Sequence, residues 1–273
     1  QAQLMEGGMH LWFQSALTAD GWQDGVRLTI EGGQIIALDA GVAAAPGDAR
    51  HGIGLPGQPN LHSHAFQRGM AGLAEVRGES RDSFWSWRQV MYRFLDRLTP
   101  DDVEAIAALA YAEMLEAGFT RVGEFHYLHH DRDGAAYADV GELSARIAAA
   151  AEATGIALTL LPVFYAHAGF GGLPPTEGQR RFVNSLDQFA LLLERARRSI
   201  AKLPAANIGV APHSLRAVTA DELMEVVQLA PEGPLHIHVA EQVKEVEDSV
   251  AFSGKRPVEW LMQAMAEKGT PVD

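Results

Sequence analysis

The chain has 273 residues, 47% of them hydrophobic, with five tryptophans and no cysteine, which excludes a disordered chain, a disulfide framework and a thiolate metal site. Lys and Arg number 22 against 35 Asp and Glu, a formal net charge of -13, so no nucleic-acid partner is expected. No run reaches the roughly 18 apolar residues of a membrane helix and no basic head precedes an apolar stretch, so neither a membrane partner nor a secretory signal is expected, and the absence of cysteine fits a reducing, cytoplasmic compartment.

Gln1 is not a natural first residue. The first 50 residues read as short strands at His10–Leu17, Val26–Ile30 and Gln34–Asp39, with Asp24-Gly25 and Gly32-Gly33 as the turns between them. Gly41–Arg50 is small and punctuated by Pro and Gly, as a linker would be. From Gly54 onward strands alternate with helices. Five strands are expected, at Leu55–His62, Phe119–Phe125, Ile156–Val163, Ile208–His213 and Leu235–Val239. A long loop containing Phe84-Trp85-Ser86-Trp87-Arg88 follows the first of them.

Thr99-Pro100-Asp101-Asp102 opens a helix that carries Val103, Ile106, Ala110 and Met114 on one face and stops at Gly118. Glu142–Thr154, Asn184–Ile200 and Thr219–Ala230 are further helices, the last opening on the capping box Thr219-Ala220-Asp221-Glu222, and a final one begins at Pro257. This alternation implies a parallel sheet, closed either as an open doubly wound sheet or as a (β/α)8 barrel. No G-x-G-x-x-G follows the first strand, which weakens a dinucleotide site.

Of 11 histidines, eight (His62, His64, His126, His129, His130, His213, His236 and His238) fall at or just after the C-terminal ends of expected strands, the edge where loops of a parallel α/β fold converge into a site. In Asn60-Leu61-His62-Ser63-His64 the two imidazoles, at i and i+2 on a strand, share a face and can reach one ion. A lone H-x-H is otherwise an ordinary core or surface pair. His236-Ile237-His238-Val239-Ala240-Glu241 repeats the pattern with a carboxylate three residues on. Either histidine could be a third ligand, and Glu241 is either a proton carrier above the ion or a first-turn helix acid. Arg216 could fork onto a substrate carboxylate or pair with a structural acid. Tyr127 could donate to a substrate. The Phe84–Arg88 aromatics are packing or ligand contacts, His129 and His130 are expected to be solvated, and Ala166–Pro175 is a lid or a plain surface loop.

At these residues the chain resembles the amidohydrolase superfamily, and within it the formimidoylglutamate deiminases of histidine degradation. The resembling segments run from Leu55 to Arg68, and include Glu124-Phe125-His126-Tyr127, His167-Ala168-Gly169-Phe170-Gly171-Gly172, His213-Ser214-Leu215-Arg216 and His236–Gln242. The resemblance implies an α/β fold. Residues 1–50 would be the N-terminal portion of a small β-sandwich domain, and residues 51–273 would hold strands 1–5 of an amidohydrolase-type (β/α)8 barrel. It implies His62, His64 and His238, not His236, as ligands of one divalent ion, usually Zn2+, with Fe2+ as the other candidate. Glu241 would shuttle protons, and Gln67, Arg88, Tyr127, His213 and Arg216 would hold the substrate.

The implied reaction is hydrolysis of N-formimidoyl-L-glutamate, a small molecule with two carboxylates, to N-formyl-L-glutamate and ammonia by a homodimer. The family's further active-site His on strand 6 and metal-binding Asp on strand 8 would lie beyond Asp273, so a longer enzyme is expected. The rivals are another deaminase or chlorohydrolase-like enzyme acting on a heterocycle, and an inactive barrel fragment.

Overall fold

The computed structural model describes residues 8–73 and 84–267, the side chains of residues 84–86 excepted. Two compact units divide between Gln58 and Pro59. The first is a four-stranded sheet of β1 (Met9–Thr18), β2 (Gly21–Glu31), β3 (Gln34–Asp39) and β4 (Ala49–Gly54), in the order β3-β2-β1-β4. β1 runs antiparallel to β2 and parallel to β4. The expected turn at Asp24-Gly25 is instead part of β2. Ser15 pairs with Asp24, and the chain reverses between Thr18 and Gly21. The end of the expected linker is strand β4.

The second unit holds β5 (Gln58–Ser63), a 3₁₀ turn at Ala65–Met70, α1 (Phe84–Leu95), α2 (Pro100–Glu116), β6 (Phe119–His126), α3 (Glu142–Thr154) and β7 (Ala157–Phe164). After a short 3₁₀ turn at Glu177–Gln179 come α4 (Leu186–Ile200), β8 (Asn207–Ile208), β9 (Ala211–Pro212), α5 (Ala220–Gln228), α6 (Val243–Ser253) and α7 (Pro257–Glu267). β5 borders β6, β6 is parallel to β7, and β7 is parallel to both β8 and β9. Single parallel bridges Val210–Leu235 and Ser214–His238 continue the series. The neighbours are consecutive in sequence, the winding of a (β/α) barrel. A doubly wound sheet would reverse its order partway.

Sequence signals account for the helix starts. Thr99, Ser185 and Thr219 each accept a hydrogen bond from the backbone N–H three residues on, and in each case that third residue returns one to the cap, which satisfies donors the helix leaves open. α3 stops at Gly155, which takes the left-handed backbone. Two apolar clusters fill the unit, one around Tyr111, Phe125 and Leu161, the other around Phe164, Phe189 and Leu223.

Three expectations are corrected. The long loop after the first strand contains a helix, α1. The expected strand Ile208–His213 is broken in two, and Leu235–Val239 pairs only through the two bridges. Gly209 explains the break: a Cβ there would lie 2.1 Å from the Pro234 carbonyl, so the two backbones approach too closely for a regular ladder. Among the described residues no helix is long and apolar enough to cross a membrane.

Candidate functional site

His62 lies near the C-terminal end of β5 and His64 just beyond it, two residues apart, and the bridge Ser214–His238 brings His238 to the same edge. The His62 and His64 Nε2 atoms are 3.1 Å apart, and those of His62 and His238 are 3.3 Å apart. Ligand atoms of all three lie within 4.8 Å of one another. Tetrahedral bonds of 2.0–2.1 Å would space nitrogens by about 3.3 Å, so the three rings fit one cation. His64 Nδ1 donates to the Phe125 carbonyl at 2.9 Å, which leaves the Nε2 lone pair facing the cluster. Burial pushes His64 down to about 3 and His238 down to about 4, which keeps both rings neutral, the form that binds metal. His236 is not in the cluster. Its backbone N–H goes to Val210, while that of His238 goes to His213.

Beside the cluster lies a cleft lined by His64, Gln67, Trp87, Arg88, Met91, Tyr92, Tyr127, Tyr165, Phe182, His213, Arg216, His238 and Glu241. Every expected site residue except His62 is on that wall. Gln67 Nε2 donates to the Tyr127 hydroxyl at 2.9 Å. Arg88 Nε donates to Tyr92 at 2.5 Å and its Nη2 to Tyr165 at 3.5 Å. The His213 ring sits 4.9 Å from that of His238, and burial holds His213 well below the usual histidine range.

Glu241 precedes α6 rather than standing in its first turn. Its carboxylate takes Arg216 Nη2 at 2.6 Å, so Arg216 is paired with an acid of the protein at the cleft. Arg216 Nε is buried without a hydrogen-bond partner and lies 3.6 Å from Glu245.

The expectation that His129 and His130 are solvated is wrong. Both are buried, with Nε2 atoms on the carbonyls of Val163 at 2.9 Å and Val183 at 2.8 Å. They brace the strand edge instead of facing water. Of the Phe84–Arg88 run, Trp87 and Arg88 line the cleft, whereas the Phe84, Trp85 and Ser86 side chains lie outside the described residues. The Ala166–Pro175 segment is tied down, because His167 Nε2 meets the Glu222 carboxylate at 2.9 Å.

The sequence reading missed Tyr92, Tyr165, Phe182 and Glu245. Tyr165 follows β7 directly, so the strand-end rule that selected the histidines would have found it.

A family model described as "Amidohydrolase family" matches residues 53–273, and one described as "Formimidoylglutamate deiminase HutF, N-terminal domain" matches residues 11–52. The chain is 52% identical over 260 residues to a formimidoylglutamate deiminase of Pseudomonas aeruginosa, covering 94% of this chain and 57% of that protein. It is 27% identical over 270 residues to an 8-oxoguanine deaminase of the same organism, covering 92% of this chain and 56% of the relative. A solved amidohydrolase from Brucella melitensis superposes with a TM-score of 0.92 at 59% identity, over 94% of this chain and 57% of that one. The chain thus spans little more than half the length of these relatives. With a matching family model over residues 53–273 and the strand-end histidines in place, the chain belongs to the amidohydrolase family.

Proposed function

We propose that this protein is a metal-dependent deiminase that hydrolyses N-formimidoyl-L-glutamate to N-formyl-L-glutamate and ammonia. The observation that carries the reading is the convergence of three histidine nitrogens beside the Glu241–Arg216 pair, in a cleft that also holds Arg88. The 52% identical deiminase supports the substrate class. His62, His64 and His238 would hold one divalent ion, Zn2+ in preference to Fe2+. When bound, that ion supplies Lewis acidity and makes water a competent nucleophile near neutral pH.

The chain's own groups do the rest. Glu241 accepts the proton of the attacking water and delivers it to the departing nitrogen, so that ammonia leaves rather than an amide anion. Water adds to the amidine carbon, the C–N bond to the terminal nitrogen breaks, and the carbon becomes a formyl carbonyl. Arg88 and Arg216, which both line the cleft, would neutralise the two substrate carboxylates. Gln67, Tyr127 and His213 orient the formimidoyl end.

In the same reading, residues 1–50 belong to a small β-sandwich domain, and residues 51–273 to the hydrolase barrel. The enzyme works in the cytoplasm as a homodimer on a small molecule, with no nucleic acid or membrane as partner. A second reading, deamination of a planar heterocycle, draws on the aromatic wall of Trp87, Tyr92 and Phe182 and on the 8-oxoguanine deaminase relative. Ammonia release from N-formimidoyl-L-glutamate and from 8-oxoguanine, measured with the zinc-loaded protein, decides between them. No release from the former would sink the proposal.

A further inference from the structure

The hydroxyl group of Tyr165 has its direction set by its neighbours. Tyr165 follows β7 directly, is 6% exposed, and packs in the cleft wall with its ring 4.6 Å from that of His213 and 5.9 Å from that of Phe182. Its oxygen lies 2.5 Å from the side-chain nitrogen of Gln179 and 3.5 Å from Arg88 Nη2. The amide of Gln179, which is fully buried, cannot be turned over. Its oxygen takes the Thr176 backbone N–H at 2.7 Å and the Thr176 hydroxyl at 3.0 Å, in the capping box that opens the 3₁₀ turn Glu177–Gln179. A backbone N–H requires an acceptor, so the amide NH2 faces Tyr165.

Gln179 therefore donates to Tyr165, and a guanidinium can only donate. The phenol oxygen receives from both sides, and its own proton has no acceptor within hydrogen-bond reach among the described residues. A buried hydroxyl proton without an acceptor is costly, and a ligand that supplies one recovers that cost.

We propose that Tyr165 is a substrate-binding residue that points its hydroxyl proton into the cleft, onto a ligand carboxylate oxygen shared with Arg88, and that Gln179 is the positioning residue that fixes this direction. The proposal rests on the dicarboxylate reading above and adds a specificity determinant to it. The donor pair Tyr165 and Arg88 suits an anionic planar acceptor. A neutral heterocycle would present donors as well and would leave one of the pair unmatched.

The test uses the complete metal-loaded enzyme at pH 8. Tyr165→Phe keeps the ring packing and removes only the hydroxyl group. It should raise KM for N-formimidoyl-L-glutamate by about 10- to 100-fold, the range of one hydrogen bond to a charged group, with kcat within about threefold. The inhibition constant of N-formyl-L-glutamate should rise in parallel. Gln179→Glu has the same shape but offers Tyr165 an acceptor, which turns the proton away from the cleft. It should reproduce the KM increase although the hydroxyl group is still present, and the double variant should add less than about threefold to either single one. Unchanged KM and inhibition constant in Tyr165→Phe would overturn the proposal while leaving the functional reading standing. An unchanged KM in Gln179→Glu, with the increase seen in Tyr165→Phe, would overturn the role of Gln179. A wild-type enzyme that releases no ammonia from this substrate would overturn both the functional reading and the proposal.

Discussion

Glu241 owes its place to the residue before it. Ala240 sits at φ +59, left-handed backbone that costs a non-glycine residue roughly 1–2 kcal/mol. Glu245, whose side chain is fully buried, accepts the N–H groups of Ala240 and Glu241 at 3.3 Å and 2.9 Å and so holds that turn closed. The turn aims the Glu241 carboxylate at Arg216 rather than along α6. Glu241→Gln should therefore keep the metal and the fold and lower kcat by about 10²- to 10⁴-fold, the range for loss of a general acid–base. Metal content and steady-state rates measured on the same preparation check this, and unimpaired turnover would remove Glu241 from the chemistry. The H-x-H pair was legible because strand alternation puts both imidazoles on one face, whereas spacing left Glu241 open between a proton carrier and a first-turn acid and the resemblance alone gave it a role. Glu245 was not legible, since its role depends on a backbone reversal that spacing does not reveal.

Another buried carboxylate gives a pH test. Glu124 is 1% exposed, accepts the Ala65 N–H at 2.8 Å, and is pushed up to about 7 by burial. Its folded value exceeds the ordinary 4.5, so the folded chain binds this proton more tightly than the unfolded chain does. The group then favours folding below about pH 4.5. That contribution falls away as pH rises towards 7, about 3 kcal/mol in all at 1.36 kcal/mol per unit. Glu124→Gln removes the charge and retains an acceptor for Ala65. The variant should be more stable than the parent at pH 8, and the gap should close towards pH 5. Urea unfolding at the two pH values measures it, and a gap independent of pH would contradict it.

Among the elements, α1 carries the most unexpected share of the site. Trp87, Arg88, Met91 and Tyr92 occupy two successive turns of one face and form one wall of the cleft. The helix is fixed at its C-terminal end by Arg181, 1% exposed, whose guanidinium donates to the carbonyls of Leu95, of Leu98 at 3.2 Å and of His130 at 2.9 Å. A cation at a helix C-terminus meets both the open carbonyls and the negative end of the dipole. Gly178 allows the neighbouring 3₁₀ turn to lie against Tyr92, since a Cβ there would come within 2.5 Å of its ring. Arg181→Met leaves those carbonyls buried without their donor and should cost roughly 3 kcal/mol of stability. KM should also rise, because Arg88 rides on the loosened helix. Wild-type stability by denaturant titration would refute this role. The helix was hidden in the sequence by its aromatic content, which reads equally as loop packing, and a buried arginine has no periodic signature. The helices capped by Thr99 and Thr219, by contrast, were visible because each threonine is followed three residues on by the acid that completes its cap.

At the scale of the whole molecule, the candidate cation site joins the ends of the sheet. His62 and His64 close β5, whereas His238 stands 176 residues beyond His62 on the last bridged segment. The consecutive strand order that makes this possible follows from the alternating pattern of strands and helices. Strand alternation alone does not choose between His236 and His238, because residues two apart share a face; the resemblance chose His238, and the structure brings that ring to the cluster. A cation held by all three histidines binds the folded chain and not the unfolded one, so it stabilises by mass action. The gain is about 4 kcal/mol at a thousandfold excess over Kd, or roughly 7 °C in Tm for a chain of this size. Zinc added to chelator-treated protein should produce that upward shift, and chelator should reverse it. His238→Ala should abolish the shift, because among the described residues it is the member of the cluster that comes from the far side of the sheet. His236→Ala should leave it intact, because that ring lies outside the cluster. Loss of the shift in His236→Ala with retention in His238→Ala would reverse the ligand assignment and with it the register of the segment that carries them.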